Sequence, residues 1–276
     1  MRVGWEMRFP FGESFVEVNW PDGCAPDVVT CPSAAVIDSS DVHHVVSRAV
    51  RSPIGCIPLP EMASGRRDAV LLVSDATRLC PTALLLPALL DALNEGGIPD
   101  SRIRVIVALG AHRAQTEKEL RSIAGAAFER VSVENHSSLP ENNVLLGTTS
   151  FGTPVRINRT VAAADLRIAV GNIEPHALVG LSGGGKALFP GVAAADSIER
   201  HHALSLRFKA VPGYADNPLH RDIDEACRFA PVHFLCNVVA DSRRNVLAVF
   251  AGDCRHAHHA GSRFARSQFL VPVRRR

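Results

Sequence analysis

The chain has 276 residues, enough for one large α/β domain or two small ones with a substantial core. Apolar residues make up 46% and charged residues 21%, and the net charge of +2 gives no general attraction to nucleic acid or to an acidic membrane surface, so neither is expected as a partner. Seven cysteines, odd in number, scattered and without a C-x-x-C pair, argue against a disulfide scaffold or zinc knuckle and fit a reducing cytoplasm.

At the N-terminus Glu6, Arg8 and Glu13 interrupt any signal-like apolar core. No run approaches the ~20 apolar residues that span a bilayer, so a soluble, cytoplasmic protein is expected. RFPFGESFVEVNWPDG has hairpin character, with Phe15, Val16 and Val18 beside a Gly12 turn. Residues 33–50 carry a helix-like pattern. A βαβ alternation follows. Val70–Val73 reads as a buried strand, Thr82–Asn94 as a leucine-rich helix closed by Gly96 and Gly97, and Arg104–Leu109 as a second strand. Thr116–Ala124 reads as a helix with a Thr116/Glu119 capping box, Val131–Glu134 as a third strand and Leu166–Val170 as a fourth. A helix is expected from about Ala194 to His201-His202 and another over Asp222–Phe229, with strands at His233–Ala240 and Val246–Ala251. The expected fold is α/β: a mostly parallel, Rossmann-like sheet flanked by helices, preceded by an N-terminal β-hairpin.

Polar residues gather just beyond the strand carboxyl ends, where open parallel sheets bind ligands. Asp75, Thr77 and Arg78 follow the first strand, His112 and Arg113 the second, His136 the third, and Asn172, Glu174 and His176 the fourth. A single site accounts for them better than several. Arg78 could grip a carboxylate or phosphate bidentately, or the same turn could simply cap a helix. Gly171–Gly191, GNIEPHALVGLSGGGKALFPG, joins a histidine to a glycine-rich turn and Lys186. Successive amides of such a turn can cradle an anion, and the lysine adds a charge or an amine nucleophile. GLSGGGK fits the start of a P-loop, but Ala187 stands where a hydroxyl would hold magnesium, so an ATP-hydrolysing reading is weak. One of His201 and His202 is a candidate ligand and the other reads as solvated at a helix end. His256, His258 and His259 read as surface histidines, and Arg274–Arg276 as solvated charge.

Taken in order, SDATRLCP, ALGAHRAQTEKEL, VENHSS, the run from LGTTSFGTPVRINRT through GLSGGGKALFPGVA, SIERHH, NPLHRDIDEA and NVVAD with VFAGD resemble the nickel-dependent lactate racemase family over most of residues 8–260. The resemblance implies a nickel-pincer nucleotide, covalent on Lys186, with Asp75, Thr77, Arg78, Ser182, Gly183 and Gly184 around it. It further implies His202, rather than His201, as nickel ligand, His112 and His176 as paired acid/base groups, and Arg78 as partner of the substrate carboxylate. The implied reaction racemises or epimerises a small 2-hydroxy acid. Direct deprotonation at C2 would remove a very weakly acidic proton; the family instead moves hydride from C2 to the cofactor while a histidine takes the hydroxyl proton. Two histidines of near-neutral pKa would suit that reversible task. Cofactor-synthesis enzymes are the implied partners.

Two departures stand out. Gly185 replaces the family's small residue after the glycine pair, which is expected to add flexibility. Residues 1–261 match the family's first domain, whereas 262–276 do not, and the family's second α/β domain is expected to be missing. The alternative is therefore a truncated, non-catalytic relative that only holds nucleotide or nickel.

Overall fold

Short apolar runs without polar alternation fold here as strands covered on both faces, as a parallel sheet between two helix layers requires. The computed structural model describes residues 6–271 apart from 12–13, 22, 25–27, 30, 32–33 and 215. Two units emerge, residues 1–32 with 271–276, and Ser33–Leu270. In the first, β1 (Glu6–Phe11) and β2 (Ser14–Asn19) pair antiparallel as the expected hairpin. Its Gly12 turn lies outside the described residues.

The second unit opens with α1 (Ser39–Arg51), which starts where the Asp38 carboxylate accepts the Ser40 amide and buries Val42, Val46 and Val50 one turn apart. After α2 (Leu59–Ala63) come β3 (Ala69–Ser74), α3 (Thr82–Glu95) and β4 (Ile103–Ala108). α4 (Glu117–Ala124) carries the expected Thr116/Glu119 capping box, and β5 (Ser132–Asn135) follows. An antiparallel hairpin of β6 (Asn143–Thr148) and β7 (Pro154–Asn158) leads through α5 (Arg159–Ala163) to β8 (Leu166–Asn172). Next come the two-residue strands β9 (Pro175–His176) and β10 (Gly180–Leu181), then α6 (Ala195–Ala203), α7 (Pro218–Phe229), β11 (Phe234–Ala240), β12 (Val246–Gly252) and α8 (Cys254–Phe269).

Six strands form one sheet in the order β12-β11-β8-β3-β4-β5, parallel except for β12. Leu71 and Val73 of β3, with Val105 and Val107 of β4, face a layer containing α1 and α3. Val70, Leu72 and Ile106 face the other layer, against Phe189, Ile198, Leu219 and Ile223. The mostly parallel sheet, the flanking helices and the hairpin match the sequence-based expectation.

The β6/β7 hairpin, α2, α5 and α8 were not anticipated. α8 buries Ala257, Gly261 and Ala265 along one face, residues too small to give an apolar stripe. A Cβ on Gly261 would come within 2.4 Å of the Ile173 terminal methyl and 3.0 Å of the Phe250 ring, so a larger residue would have to push both aside. Residues 262–269, set apart from the family match, continue this same helix.

Candidate functional site

The chain runs outward from β3 to β4 and β5 on one side, then returns to β8 and β11 on the other. The crevice beyond the carboxyl ends of β3 and β8 is thus the topological switch point, where such sheets bind ligands. A cavity of about 280 Å³ lies there. Asp75, Arg78, His112, His176, Ser182, Gly183, Gly184, Lys186 and His202 all line it, so nine of the ten expected site residues converge.

Asp75 leaves the end of β3 buried, and its carboxylate accepts the Thr77 amide at 2.8 Å and the Thr77 hydroxyl. Its other oxygen meets His112 Nδ1 at 2.9 Å. Burial works to raise the Asp75 pKa, but the hydrogen bonds from Thr77 and His112 outweigh it and hold the carboxyl below its ordinary value. An ionised Asp75 accepts, so His112 donates from Nδ1, and its Nε2 makes no hydrogen bond among the described residues. Gly110, at φ +55°, makes the turn that carries His112, and its amide bonds to Gly191 O at 2.8 Å. Thr77, the tenth residue, does not line the cavity; its role is to hold Asp75. Arg78 touches Asp75 only at 3.9 Å, which leaves its guanidinium edge for a ligand.

The glycine loop is fixed from two sides. Asn237, buried in β11, accepts the Gly184 amide at 2.8 Å through Oδ1. From α8, His258 donates Nε2–H to Ser182 O at 2.9 Å, and its ring lies 3.0 Å from where a Gly184 Cβ would stand. Gly183 and Gly184 adopt φ of +83° and +59°, and a Cβ on Gly183 would collide with Asn237 Oδ1. Lys186 follows on a short 3-10 turn, Gly184–Ala187. Its amine makes no hydrogen bond or ion pair among the described residues, and burial pushes its pKa down to about 8 against the pull of Asp75 and Glu174.

His176 sits across the loop, where Nδ1 accepts the amides of Leu178 at 3.2 Å and Val179 at 3.4 Å. Its proton therefore resides on Nε2. Burial, followed by the positive charges of Lys186, Arg78 and His202, lowers its pKa to about 4. The expectation that both histidines titrate near neutrality fails at His176 for that reason.

At the end of α6, successive residues point about 100° apart. His201 turns inward and is fully buried, donating Nδ1–H to Asp222 at 2.8 Å. Asp222, also fully buried, accepts the hydroxyls of Thr149 and Thr153 as well. His201 Nε2 has no hydrogen-bond partner among the described residues, although the residue lines the cavity. His202 is the exposed member, but it lines the same cavity, and partial burial with His201 and Lys186 nearby lowers its pKa. A neutral imidazole of this kind is a competent metal ligand.

Other expectations are corrected. His136 does not line the cavity; it donates Nε2–H to Ala193 O at 2.8 Å and accepts from Asn158. Arg113 turns away to pair with Glu119 at 2.6 Å. His258 is not a surface histidine: it is buried and stacks on His220, with ring centroids 5.2 Å apart. Among the described residues no group of three or more His, Cys, Asp or Glu side chains could hold a metal ion. The P-loop likeness fails structurally, since GLSGGGK leaves a two-residue antiparallel strand and enters a 3-10 turn. Gly185 has a packing role rather than one of added flexibility, because a Cβ there would stand 2.5 Å from Cys227 Sγ. Sequence reading missed Asn237, His201 with Asp222, and His258. For Asn237 the signal was an amide inside the apolar run FLCNVVA.

Comparison with known proteins bears on this site. A family model described as the lactate racemase N-terminal domain matches residues 11–211. The lactate racemase of Thermoanaerobacterium thermosaccharolyticum is 32% identical over 267 residues, covering 94% of this chain and 62% of that protein. That of Lactiplantibacillus plantarum is 34% identical over 236 residues, covering 84% and 55%. The chain thus spans less than two thirds of these relatives' length. The structure of the T. thermosaccharolyticum lactate racemase apoprotein superposes with a TM-score of 0.83 at 31% identity, covering 96% of this chain and 63% of that one. A Thermotoga maritima protein shares the fold, with a TM-score of 0.70 at 21% identity over 88% of this chain and 63% of its own.

Proposed function

Because this chain belongs to the lactate racemase family through that family's N-terminal domain, we propose that its cavity binds a nickel-pincer nucleotide on Lys186 and inverts C2 of a small 2-hydroxy acid. One observation carries this reading: an unpartnered lysine amine shares a cavity with Arg78, His112 and His176. The residues suit the group. Lys186 offers an amine for covalent attachment, His202 a neutral imidazole for nickel, and the turn at Ser182, Gly183 and Gly184 a wall with little side-chain bulk. When bound, the cofactor would supply a reversible acceptor for the C2 hydride.

The remaining work falls to the chain. Arg78 would grip the substrate carboxylate and fix which atoms face His112. The free Nε2 of His112 would take the hydroxyl proton, while Asp75 behind it steadies the imidazolium that forms. His176 stands in the opposite state, with its proton on Nε2 and Nδ1 engaged by two amides. It is set to donate a hydrogen bond, and for it to act as base the Leu178 and Val179 amides must turn away. Production of cofactor by dedicated enzymes and a cytoplasmic setting belong to the same proposal.

The test is chiral assay of D- and L-lactate with protein made alongside the cofactor-building enzymes. His112→Ala and His176→Ala should each lower interconversion by roughly 10²–10⁴-fold while Lys186 still carries the adduct. Undiminished activity in either variant would remove that histidine from its role. A protein that carries the adduct and converts neither enantiomer would favour the non-catalytic reading.

A further inference from the structure

The chain contains three lysines. Lys118 and Lys209 are exposed, and Lys186 alone lines the cavity. Its amine is without a hydrogen-bond or ion-pair partner among the described residues. Leu178, Val179 and Ile198 supply apolar wall, and Arg78 lies in the same cavity, its only acid contact among the described residues being Asp75 at 3.9 Å. A desolvated amine beside a second cation and a carboxylate-binding group is the arrangement that condenses with carbonyl compounds.

We propose that Lys186, in the chain without cofactor, forms an imine with 2-oxo acids such as pyruvate, with Arg78 holding the carboxylate. The inference rests on the reading above only in that the cavity admits a three-carbon acid. Nζ adds to C2, and the carbonyl oxygen leaves as water with two hydrogens from the ammonium nitrogen; the product is a protonated C=N bond. Nothing is oxidised or reduced, and the step reverses in water. The lowered pKa of about 8 supports it, because a useful fraction of the amine is unprotonated near neutrality. One consequence is that a 2-oxo acid competes with cofactor attachment at Lys186.

Purified chain made without the cofactor-building enzymes would be incubated with pyruvate and cyanoborohydride, which delivers hydride to C2 of the imine and leaves a stable N-(1-carboxyethyl)lysine. Peptide mass spectrometry then compares the three lysines. Lys186 is expected to label at least roughly tenfold faster than Lys118 or Lys209. Acetone, which lacks the carboxylate, should label Lys186 more slowly, and Arg78→Met should abolish the preference for pyruvate over acetone. Lys186→Arg should lose the fast label, with Lys118 and Lys209 labelling as before reporting an unchanged surface. Equal labelling of all three lysines, no label on Lys186, or an intact pyruvate preference in Arg78→Met overturns the proposal. Cofactor attachment without the pyruvate label would sink this inference alone; the label without cofactor attachment would sink the functional reading alone.

Discussion

Asp222 shows how much of the site is held by a residue that never reaches the cavity. It is fully buried and takes hydrogen bonds from Thr149, Thr153 and His201, so three donors depend on one carboxylate. Asp222→Ala would strand all three and should destabilise the protein by about 3 kcal/mol. Equilibrium denaturation measures this, and a loss within about 0.5 kcal/mol would show that the network is not stabilising. None of it could be read from the sequence, because Thr149 and Asp222 are brought together only by the fold. The pair His201-His202 was visible, but which member turns inward depends on the helix phase. His258 makes stability depend on pH. Burial, with His220 stacked on it, lowers its pKa to about 4, against an ordinary value of 6.5. Between those values the unfolded chain binds more protons than the folded one. Stability should therefore be fully present above pH ~6.5 and fall on acidification towards pH ~4, by up to about 1.4 kcal/mol per pH unit from this residue. His176 and His233, lowered for the same primary reason, act in the same direction. A denaturation midpoint that stays flat or rises between pH 6.5 and 4 would contradict it.

The glycine loop is an element without regular structure of its own, kept in shape by β11 on one side and α8 on the other. Gly185 is required by that packing, since Cys227 of α7 fills the space that a Cβ would occupy. Gly185→Ala should cost about 1–3 kcal/mol by overpacking, and Cys227→Ala should recover most of that loss in the double variant. Additive losses would show that the two positions do not interact. Strands β3, β4, β8 and β11 were legible because burial on both faces leaves predominantly apolar runs, such as AVLLV in β3 and VIVA in β4. The residues after their carboxyl ends were legible as one site by the same rule. Helix α8 was not, because it packs through Ala257, Gly261 and Ala265, and its histidines and arginines looked like surface. That hid His258, and with it one of the two clamps on the loop.

For the molecule as a whole, the sheet order places the carboxyl ends of β3, β4 and β8 around one crevice, and nine of the ten site residues implied by the family resemblance line it. The family assignment and the fold agree with that convergence. Among the described residues no helix is long and apolar enough to cross a membrane. What the sequence could not disclose is the asymmetry of the two histidines. His112 is backed by Asp75 and keeps a free Nε2, whereas His176 is bound through Nδ1 to backbone amides. That difference arises from loop geometry rather than residue type. We propose this crevice as a cofactor cradle ending in a covalent tether. Its most direct test is the mass of the Lys186 peptide, with nickel content, in protein made alongside the cofactor-building enzymes. A nickel-bearing nucleotide adduct is expected on Lys186 and absent from Lys186→Ala; an unmodified Lys186 without nickel under those conditions would rule the cradle out.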